Sequence, residues 1–191
     1  MTSKTHAAFA FASLVTVAAW YPPSHMSLLT FAGAIIANDI GALIPDLDTA
    51  GNRLWEFLPQ GHNMGRVLRN IFYKHRTLTH SAIGAYLLYR GFDWLLPKIF
   101  NSAYVDSTII LYAIMIGIVS HLLSDSLTEE GIPVLFPINM NFGIPPIKAL
   151  RVRTGSWIEQ FIVYPLVWMY VIWFVYTKEA ILLTIVTSLV K

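Results

Sequence analysis

DSTIILYAIMIGIVSHLLSDSL, residues 106–127, is the stretch that decides the fold. From Ile109 to Val119 its only polar atom outside the backbone is the Tyr112 hydroxyl and the Met115 thioether is its only other heteroatom. A helix needs about 20 mostly apolar residues to cross the hydrocarbon core of a bilayer, and this stretch has that length and character. Its polar side chains gather at the C-terminal end, where His121 and Asp125 stand four residues apart. That spacing puts both on one helical face, with Cβ atoms about 5–6 Å apart. A metal ion can bridge such a pair; a capped helix end with an interfacial histidine would look the same.

The rest of the chain agrees with a membrane reading. Hydrophobic residues make up 55% of it and charged residues 13%, against about 25% charged in ordinary soluble domains. There is no cysteine, which excludes disulfides and thiolate ligands. A net charge of +2 gives no reason to expect nucleic acid as a partner. The 191 residues suit a single domain, 1–191. Oligomeric state leaves no trace in the composition.

Apolar runs fall at 7–21, 27–45, 79–97, 108–126, 158–177 and 180–190. They predict an all-α fold, a polytopic membrane helical bundle with about four to six membrane-embedded helices. The first run is short, stopped by Pro22 and Pro23, and pairs with the second as a hairpin. Pro165 should kink the fifth, and the sixth is too short to span alone. With a cytoplasmic N-terminus, the loop 46–78 holds Arg53, Arg66, Arg69, Lys74 and Arg76, and the loop 127–157 holds Lys148, Arg151 and Arg153. The opposite turns hold only Lys98 and Lys178. The bias of basic residues toward cytoplasmic loops therefore puts the N-terminus inside.

This topology sends the remaining polar clusters to one face. His6 precedes the first run, Asp46 and Asp48 follow the second, His75 and His80 precede the third, and His121 and Asp125 close the fourth. All are at cytoplasmic ends, so a cytoplasmic-face metal site is expected from them. Asp46 and Asp48, two apart in an extended or turn segment, can face one ion; alone, a polar turn explains them as well. Asp39 lies seven residues before Asp46 inside an apolar run, where an ionisable group is expensive and usually functional. It could orient a ligand or, like Asp48, act as general base. In HRTLTHS, residues 75–81, the histidines are five apart and would not share a helical face. His75 is expected at the loop end and His80 in the first helical turn, with Thr79 as N-cap. Arg76 suits a phosphate clamp or a basic anchor. Imidazole and carboxylate donors leave zinc, manganese and iron open. Serines 81, 120, 124 and 126 lie beside these residues, but a ligand-rich site favours metal-activated water over a serine nucleophile.

GALIPDLD (41–48), HRTLTHS (75–81) and HLLSDSLTEEGIPVLFP (121–137) together resemble the YdjM-type family of LexA-linked inner-membrane metal-dependent hydrolases. The pattern is matched by His6; Gly41, Pro45, Asp46 and Asp48; His75, Arg76, Thr79, His80 and Ser81; and His121, Asp125, Thr128 and Gly131. The combination is specific, and it extends to about residue 137. The family is distantly similar to zinc-dependent phospholipase C and related fungal nucleases, all-helical enzymes that cut phosphoesters with a zinc cluster. The resemblance implies a membrane hydrolase, with zinc as the first choice of metal and a lipid phosphoester at the membrane surface as substrate. Those relatives also use a later His-x-x-x-Glu pair. No histidine follows His121 here, so one or two ions are expected rather than three. Glu129, Glu130 and Glu159 are the acidic residues that could substitute. Two other readings stand beside the hydrolase: a non-catalytic, metal-stabilised membrane adaptor or regulatory protein, and a carrier using Asn38, Asp39 and Arg90.

Overall fold

A computed structural model of the chain describes residues 1–47, 78–138 and 140–189. Among the described residues the regular structure is helical, apart from two isolated β-bridges, Thr128 to Val152 and Ile132 to Phe142. The helices are α1 (Ser3–Trp20), α2 (Leu28–Leu43), α3 (Ala82–Ile99), α4 (Ser107–Ser126), α5 (Tyr164–Thr177) and α6 (Glu179–Ser188). A 3₁₀ turn, Ile44–Asp46, continues α2.

The decisive stretch forms α4, and it is central: α1, α2 and α3 all pack against it. Its start is fixed by Asp106, whose carboxylate accepts from the Thr108 and Ile109 amides at 2.8 and 3.3 Å. This satisfies donors that the first helical turn would otherwise leave open. The most extensive helix pair is α2 on α4. In a bilayer there is no hydrophobic drive to bring two apolar helices together, so small residues that permit close packing carry the contact. Here they are Gly41 and Gly117. A Cβ on Gly117 would lie 2.8 Å from the Ala42 nitrogen, and nearer still to the Asn38 carbonyl oxygen. A Cβ on Gly41 would lie 3.0 Å from Ile114 Cα. Around this crossing Ala34, Ala37 and Ala113 interlock with Ile110, Ile114 and Ile118. The Asn38 amide donates to the Ala113 carbonyl at 3.1 Å, so that buried polar group is satisfied between helices. On the far side of α1, Ala8 and Ala12 pack against Val167 and Val171 of α5.

Among the described residues, three segments are long and apolar enough to cross a membrane: Leu28–Asp46, Ser107–Ser126 and Glu159–Thr177. The sequence led to an expectation of four to six. The other helices fall outside this set for local reasons. The first turn of α1 holds Ser3, Lys4, Thr5 and His6, and α3 carries Arg90, Asp93 and Lys98. α6 has 10 residues, half of what a span needs. Around Pro165 the helix departs from regular α geometry. A π-helical turn, Glu159–Val163, comes just before it, and α5 proper starts at Tyr164 with the proline in its first turn. The helical segment is continuous from Glu159 to Thr177, and a π turn beside a proline is where such a helix readjusts its hydrogen bonding.

Candidate metal centre

The helices alternate in direction, so the start of α1, the end of α2, the approach to α3 and the end of α4 meet. His6, Asp46, His80, His121 and Asp125 meet with them. His6, His80, His121 and Asp125 have side chains 0–1% exposed, and Asp46 is 22% exposed. Burial of this many imidazole and carboxylate groups in so small a volume needs compensation.

His121 shows what the arrangement asks for. Its Nδ1 is 2.6 Å from the Ala42 carbonyl oxygen, which can only accept. Nδ1 therefore carries a proton, and in the neutral form of the ring the Nε2 lone pair points inward. Ligating histidines are fixed in this way by a hydrogen bond to the other nitrogen. From His121 Nε2 it is 3.3 Å to His80 Nε2, 3.7 Å to Asp125 Oδ2 and 3.8 Å to Asp46 Oδ1. From His80 Nε2 it is 3.4 Å to Asp46 Oδ1 and 3.6 Å to Asp125 Oδ2. These are five edges of a four-cornered figure. Donors about 2.0–2.2 Å from a tetrahedral ion stand about 3.3–3.6 Å from one another. The spacing and the donor chemistry both fit one divalent cation.

His6 joins this group from α1. Its ring stacks on His121 with centroids 3.8 Å apart and planes 12° from parallel. The Ser124 hydroxyl gives its proton to the His121 carbonyl at 2.9 Å, so it accepts from His6 Nδ1 at 2.8 Å. That leaves Nε2 of His6 facing Asp125 Oδ1 at 3.3 Å. The Met1 amino group reaches the same oxygen at 2.5 Å. Burial pushes the His6 imidazole below its ordinary pKa, an effect partly offset by the Asp125 carboxylate. Two triads have ligating atoms close enough for an ion: His6 with Asp46 and His121, and His80 with His121 and Asp125. Both include His121, so the two triads share a ligand.

The turn that presents His80 is built from Leu78 to Gly84. Ser81, and not Thr79, caps α3: its hydroxyl accepts from the Gly84 amide at 3.0 Å and donates to the Leu78 carbonyl at 2.7 Å. His80 therefore precedes the helix instead of lying in its first turn. Gly84 is required there, because a Cβ would lie 2.7 Å from the Leu78 carbonyl carbon. The Thr79 hydroxyl, released from capping, is 3.1 Å from His80 Nδ1. Glu159, at the start of the third span, is committed elsewhere. Its Oε1 accepts from the Thr2 amide at 2.6 Å and the Thr2 hydroxyl at 2.9 Å, and its Oε2 accepts from the Gly155 amide at 2.7 Å. It ties the start of α1, and with it His6, to α5.

Five of the seven expected ligands thus come together. Asp48 and His75, together with Arg76, lie outside the described residues. Asp39 is half-buried on α2 and belongs to neither triad. Ser124, Glu159 and the Ala42 carbonyl orient the ligands without having stood out in the sequence as orienting groups. A serine next to an aspartate and three residues from a histidine is the one local signal that could have pointed to Ser124.

Residues 1–186 match the family model described as YdjM inner membrane protein. YvsG of Bacillus subtilis, described as uncharacterized, is 32% identical over 162 residues, which cover 85% of this chain and 87% of that protein. The inner membrane protein YdjM of Escherichia coli is 30% identical over 136 residues, covering 66% of this chain and 61% of its own length. The inner membrane protein YdjM of Shigella flexneri gives the same figures. No solved structure matches the chain.

Proposed function

The chain belongs to the YdjM inner membrane protein family, and from that premise we propose that it is a metal-dependent hydrolase acting on a lipid phosphoester at the bilayer surface. The observation that carries the proposal is the set of five separations, 3.3–3.8 Å, among Asp46 Oδ1, His80 Nε2, His121 Nε2 and Asp125 Oδ2. These four residues would hold the ion, with zinc first and manganese or iron next. When bound, a divalent cation lowers the pKa of water toward about 7 and polarises a phosphoryl oxygen.

The other residues have supporting tasks. The Ala42 carbonyl and Ser124 keep His121 and His6 in the tautomers that turn Nε2 inward. His6 Nε2, beside Asp125 Oδ1, is a place to hold a proton drawn from the reacting water. Asp48 is the proposed general base and Arg76 the proposed phosphate clamp, with Asp39 as the alternative base. Asp46 is the only one of the five clustered ligands with appreciable exposure, so substrate would approach from its side. The bias of Lys and Arg toward the loops on this side supports a cytoplasmic position for it.

The near-complete burial of the other four ligands favours one alternative, a metal-stabilised membrane adaptor without turnover. Incubation of the purified protein with phospholipids and isoprenoid phosphates separates the two. The hydrolase reading expects released phosphate or headgroup that disappears in Asp46→Ala. Metal-loaded protein that releases nothing from any of these lipids would favour the adaptor.

A further inference from the structure

The connection between α4 and α5 presents an apolar edge. Leu135, Ile138, Met140, Phe142, Ile147 and Leu150 are each 54–67% exposed. Large apolar side chains grouped in this way mark a surface that meets another apolar phase. They are not carried on a loose strand. Ile132 and Phe142 exchange backbone hydrogen bonds at 2.8 Å in both directions. The Ser126 carbonyl accepts from the Ile144 amide at 2.8 Å, and the Leu127 carbonyl from the Val152 amide at 3.0 Å. The Arg151 guanidinium donates to the Pro145 and Pro146 carbonyls at 2.7 and 3.0 Å. A frame satisfied internally to this degree holds the hydrophobic side chains outward.

We propose that this connection is a membrane-interface anchor, whose apolar edge inserts into the lipid leaflet on the side of the metal centre. Three observations select lipid as the occupant. The connection starts at Ser126, where one membrane span ends, and finishes at Glu159, where the next begins. Its edge is therefore continuous with the lipid-facing surface. Exposed Lys148 and Arg153 stand beside the apolar residues and suit anionic headgroups, and exposed Trp157 suits the interfacial belt. The Val134 carbonyl accepts from the Ala82 amide at 3.0 Å, two residues from His80. Insertion would thus hold the leaflet beside the centre. The anchor needs neither metal nor turnover, so it can stand or fall independently of the hydrolase.

The chain has no cysteine, so one introduced thiol reports cleanly. Met140→Cys and Ile147→Cys, both at positions 62% exposed, would be labelled with an environment-sensitive fluorophore in full-length protein. The protein would then be placed in phosphatidylcholine–phosphatidylglycerol vesicles. Insertion predicts blue-shifted emission at both sites, strong quenching by lipids with a shallow nitroxide, and little quenching by aqueous iodide. Quenching by iodide and not by nitroxide would overturn the anchor. Protection from both quenchers would also overturn it, because another protein surface would then be the cover. Two sites keep the test decisive if one variant fails to fold.

Discussion

Alanine at position 121 is expected to empty the metal centre. Wild-type protein purified without chelator should carry about one equivalent of a divalent ion, and His121→Ala should lose it, with affinity lowered at least about 100-fold. The size of the effect follows from geometry. His121 Nε2 stands 3.3–3.8 Å from each of the other three corners, so it is a corner of three of the four faces of the ligand set. Its ring also supports His6 by stacking at 3.8 Å. Asp125→Ala should behave in the same way, because its two oxygens face His6 on one side and His80 and His121 on the other. Elemental analysis of purified protein provides the measurement. Equal metal in wild type and both variants would mean that the ion, if any, sits elsewhere.

Gly117→Val is expected to give the largest loss of stability. Position 117 faces backbone atoms of α2, not side chains that could rotate aside; the Ala42 nitrogen would lie 2.8 Å from the new Cβ. Overpacking of a close contact costs about 1–3 kcal/mol, and a backbone contact belongs at the upper end. The consequence reaches the centre, because the same stretch of α2 supplies the Ala42 carbonyl that fixes His121 and leads directly into Asp46. The variant should therefore unfold at a lower temperature in detergent and bind its ion more weakly. Gly91→Val on α3 is the control, since a Cβ there meets nothing within 4 Å; it should change neither property. A Gly117→Val protein with wild-type melting and wild-type metal would show that α2 and α4 do not cross at this point.

Much of this arrangement is visible in the chain itself. The spacing of His121 and Asp125 fixes a common face, and alternating helix direction brings His6, Asp46 and His80 to the same end. Long apolar runs with few charges point to a membrane protein. Other features depend on contacts that periodicity does not encode. Thr79 and Ser81 are both acceptable caps by type, and the choice of Ser81, whose hydroxyl accepts from the Gly84 amide, depends on where the turn places the helix start. Glu159 is one of three acidic residues that could have served as a ligand; its commitment to Thr2 and Gly155 depends on where α1 meets α5. The runs at α1 and α3 stand apart from the three long apolar segments for a related reason. The runs that became α1 and α3 are apolar enough to pack in the bundle, but their charged and polar residues take them below the apolarity of α2, α4 and the Glu159–Thr177 segment.

X-ray absorption at the edge of the divalent metal that copurifies with the protein tests the centre most directly. The predicted spectrum has a first shell of nitrogen and oxygen at about 2.0–2.2 Å, together with the outer-shell scattering of two imidazoles, those of His80 and His121. A first shell of oxygen alone, without imidazole scattering, would contradict the centre.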